Sequence, residues 1–296
     1  MKRTVTNRLG LPQAIVEAVQ NDPYDGEGSD YTITGLLQPP RAAVLSKDAE
    51  VVEDAADMLY TLQGQVMHEI LERAGDALKA QGFVVERRFF QNYIVDGRSF
   101  KTSAKIDIFN PMTGMLSDYK YTSVGSASRG LKEDHRLQLN FQAELLRKAG
   151  YTVVGAEVVL LLRDWSAERV YAGYPPSPAC KHIVEFMSSQ EIDAWAIERI
   201  RLHEAAKQSL PLCTKEERWN RTDYVVTGGR KRVFKTEREA QEYVASAGDP
   251  RLAVGERLGD DVRCLRYCPA RSVCEHAKSL TKPLPIVDEG DMREVK

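Results

Sequence analysis

Apolar residues recur at helical spacing between residues 50 and 80. Leu59, Leu62, Val66, Ile70 and Leu71 fall on one face and predict a single long amphipathic helix that Gly82 ends. The period then changes. Phe83–Val95 and Ser99–Phe109 are β-rich runs joined by the tight-turn pair Asp96-Gly97, and Met115–Tyr121 adds a third strand after Asn110-Pro111-Met112-Thr113-Gly114. The small, polar stretch Val124–Asp134 reads as a loop, with Arg129 and Lys132 available for a backbone phosphate. A helix over His135–Ala149 and a strongly apolar strand over Val153–Leu162 follow. Helix, meander, crossover helix and strand together predict an α/β core with a central mixed β-sheet flanked by helices.

The flanks are less regular. Pro12 opens a short helix running to about Gln20, Asn21–Asp30 is an acidic turn-rich loop, and Gln38-Pro39-Pro40-Arg41 makes a bend. Pro175-Pro176-Ser177-Pro178 reads as a joint before an amphipathic helix over Ser188–Gln208. A hairpin is expected around Gly228-Gly229, then a capped helix over Thr236–Ala247 and a cysteine-bearing loop or short helix over Cys264–Cys274. The expected organisation is an N-terminal helical and loop segment packing on the core (1–55), the core (56–175) and a helical connector (176–212). A small α+β region with metal-binding cysteines (213–280) and a tail (281–296) complete it.

With 296 residues, the chain can bury one substantial core or a core and an appendage. A formal charge of −2 is not the footprint of a protein that coats nucleic acid, so any DNA contact must come from a local basic strip. Met1–Gly10 is basic and polar with no apolar run behind it, and Val153–Leu162 is too short to span a bilayer. The expectation is a cytoplasmic protein with no membrane partner. Five cysteines in that compartment point to metal or to nothing, not to a disulfide framework.

The hairpin carries the candidate chemistry. Asp107 leaves its first strand; Asp118 and Lys120 leave one face of the second, with Tyr119 opposite. If Asp107 pairs near Asp118, two carboxylates and an ammonium share one patch, and Ile106, Ile108 and Tyr119 imply that it is partly buried. A divalent cation such as Mg²⁺ relieves that repulsion and keeps open water positions. Lys120 would reach a water beside the cation, which describes a hydrolytic site for phosphodiesters. His68 is a candidate ligand, since Gly64 one turn earlier clears space on its face, and an imidazole ligand would let Mn²⁺ serve as well. Gln138 and Gln142 share a helix face, Gln142 being expected in a solvated polar stripe. Glu86 is a possible extra acid, expected to pair with a neighbouring arginine.

These residues resemble the core of the PD-(D/E)XK nuclease superfamily in its RecB-like exonuclease branch. The resemblance rests on Asp107, Asp118-Tyr119-Lys120, the upstream Gly64-Gln65-Val66-Met67-His68-Glu69 and the downstream Gln138-Leu139-Asn140-Phe141-Gln142, and covers roughly residues 60 to 163. Ile106 stands where the superfamily's name has Pro, and Gln142 where the branch usually has an aromatic. The resemblance implies a restriction-endonuclease-like fold and a Mg²⁺-dependent deoxyribonuclease, most simply an exonuclease of phage-type recombination or DNA processing acting in a host cytoplasm. It also implies a main-chain ligand at Tyr119 and a role for Gln138 on the attacking water or the scissile phosphate. DNA is the implied substrate and a recombination or single-strand annealing protein an implied companion. An endonuclease on the same fold, acting on branched or single-stranded DNA, and a non-catalytic nucleic-acid-binding or assembly protein remain open.

Cys264, Cys268 and Cys274 lie within one short stretch, and Cys213 is the best fourth. Some RecB-like nucleases pin their termini with a four-cysteine iron–sulfur cluster, so the resemblance implies a [4Fe-4S] site here. The first gap is longer than theirs, however, and no cysteine precedes the core. Four thiolates would equally suit tetrahedral Zn²⁺, with His276 able to replace one. Cys180, in the proline-rich joint, is expected to stay unpaired.

Overall fold

The computed structural model describes residues 2–21, 28–47, 50–169, 173–220, 222–257 and 259–280. Most of the acidic loop expected at 21–30 and the expected tail at 281–296 lie outside the described residues. In chain order the elements are β1 (Lys2–Thr6), α1 (Gln13–Gln20), β2 (Tyr31–Thr32), α2 (Ile33–Leu37), α3 (Pro40–Lys47), β3 (Glu50–Asp54), α4 (Ala55–Glu72) and α5 (Gly75–Ala80). Then come β4 (Val84–Val95), β5 (Arg98–Asn110), β6 (Met115–Thr122), α6 (Val124–Ala127), α7 (Glu133–Lys148), β7 (Gly155–Leu162), β8 (Ala179–Ile183) and α8 (Ser189–Ala206). The last are β9 (Asp223–Thr227), β10 (Arg232–Phe234), α9 (Glu237–Ala247), β11 (Ala253–Arg257), α10 (Val262–Arg266) and α11 (Glu275–Leu280). Two compact units form, one from Arg3–Pro40 and Val52–Ser209, the other from Arg41–Val51 and the chain from Leu210.

The first unit is α/β, with a central mixed sheet of order β2-β5-β6-β7-β8 and β4 paired along β5. β4 and β5 run antiparallel from Val84↔Phe109 to Val95↔Arg98, and the connecting Asp96 and Gly97 both take positive φ, as a two-residue hairpin turn requires. β6 and β7 are parallel, so the chain must cross over the sheet between them, and α7 makes that crossing. Its residues Leu139–Leu146 are all buried. Leu139, Phe141 and Leu146 join Ile106, Phe109, Leu116 and Val158 in one core cluster. The turn into β6 needs glycine at Gly114, where φ is +69° and a Cβ would stand 2.8 Å from the Thr152 carbonyl oxygen.

The structure differs from the sequence reading in three places. Residues 50–80 are not one helix: β3 comes first, and Asp54 caps α4 by accepting the Ala56 N–H at 3.1 Å, with Thr6 and the Arg8 N–H held on its other oxygen. Nor is the apolar stripe of α4 buried; only Ala55 is. Val66 and Ile70, both exposed, lie two residues either side of His68, hence on the opposite side of the helix. Finally, Val124–Ala127 is a short helix, and the segment after Pro175-Pro176-Ser177-Pro178 returns to the same sheet as β8, placing Cys180 opposite Leu160.

In the second unit the expected hairpin gains a strand, giving the antiparallel order β10-β9-β11. Thr236 and Glu239 form a reciprocal capping box on α9. No helix among the described residues is long and apolar enough to cross a membrane.

Phe109 is fully buried on β5, its ring edge-on to Tyr151 at 5.5 Å. Phe109→Ala is expected to cost about 3–5 kcal/mol of stability, read as a lower denaturant midpoint with an unchanged slope.

Candidate active site

Strand register builds the site. β4–β5 pairing sets Val85 against Ile108 and Arg87 against Ile106, so Glu86 stands opposite Asp107. β5–β6 pairing ends at Ile108↔Ser117; Asp107 and Asp118 are the next residues beyond that last pair, close enough for the charge of Asp107 to act on Asp118. Three carboxylates thus come near one another on neighbouring strands. The backbone ladder is broken at this row. Glu86 takes φ +52°, a left-handed conformation that costs a non-glycine residue about 1–2 kcal/mol. Asp107 Oδ2 accepts the Tyr119 N–H at 3.1 Å in place of a main-chain carbonyl.

The row divides into two linked groups. On one side, His68 Nδ1 is 3.8 Å from Asp107 Oδ2, and one ligand atom each from His68, Glu86 and Asp107 lie within 4.8 Å of one another. Lys105 is paired to Glu86 and lies 3.7 Å from Glu72. On the other side, Asp118 is 1% exposed and holds Lys120 Nζ at 2.8 Å on Oδ2, while Gln138 Nε2 donates to its Oδ1 at 2.8 Å.

Burial pushes the carboxyls of Glu86, Asp107 and Asp118 above the ordinary range, and the negative charge of Asp107 adds to the rise at Asp118. Lys105 and Lys120 resist in the other direction: burial would lower both, but their acid partners hold them above the usual lysine value. Three acids facing two ammonium groups leave a deficit of positive charge.

Most of the expected site residues meet here: His68, Asp107, Asp118, Tyr119, Lys120 and Gln138. Three differ from expectation. Glu86 pairs with Lys105, not with an arginine, and belongs to the row. Gln142 is not solvated: it is 1% exposed and donates to the Lys105 carbonyl at 2.9 Å, tying α7 to β5. Gln138, expected on the attacking water or the scissile phosphate, donates to Asp118. A further residue, His135 in the first turn of α7, stands beside the site without belonging to any motif in the sequence. Burial lowers its pKa to about 4, and the neighbouring Lys120 charge adds to the drop, so it is neutral beside the Asp118–Lys120 pair. It lines a small recess with Lys132, Ser126, Thr122 and His182. Its sequence signal was its place one turn before Gln138.

The donor set fits a hard divalent cation: hard carboxylate oxygens, one imidazole, and raised carboxyl pKa values that a cation would reverse. His68, Glu86 and Asp107 would hold it, with Asp118 beside them.

The cysteines form a separate group. Cys213, Cys264, Cys268 and Cys274 all interact electrostatically with one another, whereas the Cys180 thiol is raised by burial alone. Burial pushes Cys213 and Cys264 up to about 11, with the charge of Glu217 and then the other thiols adding at Cys213, and the other thiols and Asp261 at Cys264. Burial would raise Cys274 as well, but Arg41, donating to its sulfur at 3.4 Å, brings it below the usual thiol value. Thiolates are ligands for a soft metal or an iron–sulfur cluster. His276 is held by Asp261 at 2.7 Å, and the two lie with Cys264 at metal-ligand spacing.

No family model matches the sequence, and no curated protein matches it. Among solved structures the chain is similar to one titled "Crystal structure of SSO0001". The identity is 16%, the match covers 64% of this chain and 83% of that one, and the TM-score is 0.41. A likeness this slight carries no argument about the site.

A carboxyl whose pKa is raised on folding stabilises the protein below the ordinary carboxylate value of about 4 and loses that contribution as pH rises through the raised value. At neutral pH and without divalent cation, Asp107→Asn is therefore expected to melt higher than the parent, with the gap closing on acidification. Calorimetric titration with Mn²⁺ should show its affinity reduced by at least about 10- to 100-fold. A variant that melts lower at neutral pH and binds Mn²⁺ as the parent does would contradict the cation-site assignment.

Proposed function

We propose that the chain is a metal-dependent DNA nuclease of the PD-(D/E)XK type, in its RecB-like branch, most simply an exonuclease of DNA recombination or processing. The observation that carries this reading is the row Glu86–Asp107–Asp118 with Lys120 docked on its last member. The arrangement of α4, β4–β6, α7 and β7 agrees with a restriction-endonuclease-like core on this reading.

When bound, Mg²⁺ or Mn²⁺ supplies the positive charge against which a phosphodiester becomes electrophilic and a water becomes nucleophilic near neutral pH. The chain's own residues do the rest. Asp118 fixes the Lys120 ammonium, and Gln138 fixes Asp118. Lys120, held protonated by Asp118 and Asp107, donates to a phosphate oxygen or to the attacking water and stabilises the charge that develops there. The Tyr119 N–H orients Asp107, and buried Gln142 locks α7 against β5 so that Gln138 stays in register.

The test uses end-labelled linear DNA and closed-circular DNA, with Mg²⁺ and then with EDTA. Cutting of linear DNA alone is expected, lost with EDTA. Asp118→Ala and Lys120→Ala are each expected to lower the rate by at least about 100-fold, the scale for removing a group that stabilises developing charge. Cutting of circles would favour an endonuclease; absence of cutting would favour a binding or assembly protein.

For the four cysteines we propose a structural [4Fe-4S] cluster, with Zn²⁺ as the alternative metal. The anaerobically purified protein is expected to carry bound metal that Cys213→Ser removes, with loss of protease resistance in the chain from Leu210. A broad visible absorption band would indicate iron–sulfur, and a colourless protein containing zinc the alternative. A metal-free parent as stable as the loaded one would overturn both.

A further inference from the structure

One aromatic on the catalytic helix is left uncovered. Tyr60 is 63% exposed on α4, and the Arg163 guanidinium lies over its ring, 4.2 Å from the centroid. Tyr60, Gly64 and His68 follow one another a turn apart. Between the two side chains a Cβ on Gly64 would meet nothing within 4 Å, so the helix surface there is an open shelf. The spacing agrees along two independent routes. From His68 back to Tyr60 is eight residues of helix, about 12 Å. From Asp118 along β6 to Thr122 is four residues of strand, about 13 Å. Thr122 in turn accepts the Arg163 N–H at 2.9 Å. Helix and strand therefore run side by side from the acidic row to the Tyr60–Arg163 pair.

We infer that Tyr60, backed by Arg163, is a stacking platform for an unpaired base of the DNA strand being cut, at most about four stacked nucleotides from the scissile phosphate. The inference rests on the nuclease reading for the strand's destination, and it narrows the substrate to DNA with a single-stranded end. The chemistry supports that occupant in two ways. With the cation on one face of the ring, the other face is free, and only a base not already stacked in a duplex can use it. Arg163 adds a positive charge matched to the strand's phosphates at a place where the chain as a whole, at −2, offers no general attraction. The Tyr hydroxyl plays no part, so the ring alone should suffice.

The test is fluorescence anisotropy with a short labelled oligothymidylate and, separately, a blunt duplex, in EDTA so that nothing is cut. Tyr60→Ala is expected to bind the single strand roughly 5- to 150-fold more weakly, the range for losing one base–aromatic stack. Tyr60→Phe should keep parental affinity, Arg163→Gln should lose part of it, and duplex binding and melting temperature should not change in any of them. Equal binding of the single strand by Tyr60→Ala and the parent would overturn the platform, as would a parent with no single-strand affinity. The nuclease reading fails separately: a parent that binds in a Tyr60-dependent way but never cuts in Mg²⁺ keeps the platform and loses the activity.

Discussion

Three carboxylates set near one another on adjacent strands repel, and burial makes each costlier to ionise. Glu86, Asp107 and Asp118 are held in that arrangement nonetheless, and the rest of the first unit is built to hold them. The cost is visible in the left-handed backbone at Glu86, in the two broken places in the sheet ladder and in the raised carboxyl pKa values. A glycine at residue 86 would remove the backbone strain, and an apolar side chain at residue 107 the buried charge. Two lysines relieve the row in part, one at each end.

The supports are spread across the chain. The hairpin fixes the register, since the β5–β6 pairing that begins at Asn110↔Met115 determines which residue comes near Asp107. The parallel step from β6 to β7 forces a crossover, and the crossover helix is anchored by an apolar run while Gln138 and Gln142 reach the strands from it. α4 presents His68, with Val66 and Ile70 exposed on its opposite side. In each case ordinary packing or pairing secures a side chain whose own environment is unfavourable, which is how strained sites persist in stable folds.

Part of this arrangement is legible in the sequence. Alternation puts Asp118 and Lys120 on one face, Asp107 joins them only if it pairs near Asp118, and the apolar run of Val153–Leu162 with the helix before it implies the mixed sheet. What escaped the sequence followed from register and rotation. Glu86 reads as a possible extra acid paired to a neighbouring arginine; the strand register gives it Lys105 as its partner and sets it beside Asp107. Gln142 looks solvated by residue type, yet it is buried because α7 is covered on nearly every side. The stripe of α4 reads as core because a periodic pattern cannot show which way a helix is turned. Cys213, Cys264, Cys268 and Cys274 are close enough to raise one another's thiols, while at metal-ligand spacing Cys264 stands with Asp261 and His276.

Crystals grown with Mn²⁺ and measured for its anomalous scattering test the central claim most directly. A peak enclosed by the side chains of His68, Glu86 and Asp107, with Asp118 beside it, is the predicted result. Difference density showing those carboxylates unchanged, with no Mn²⁺ among them at millimolar concentration, would contradict it.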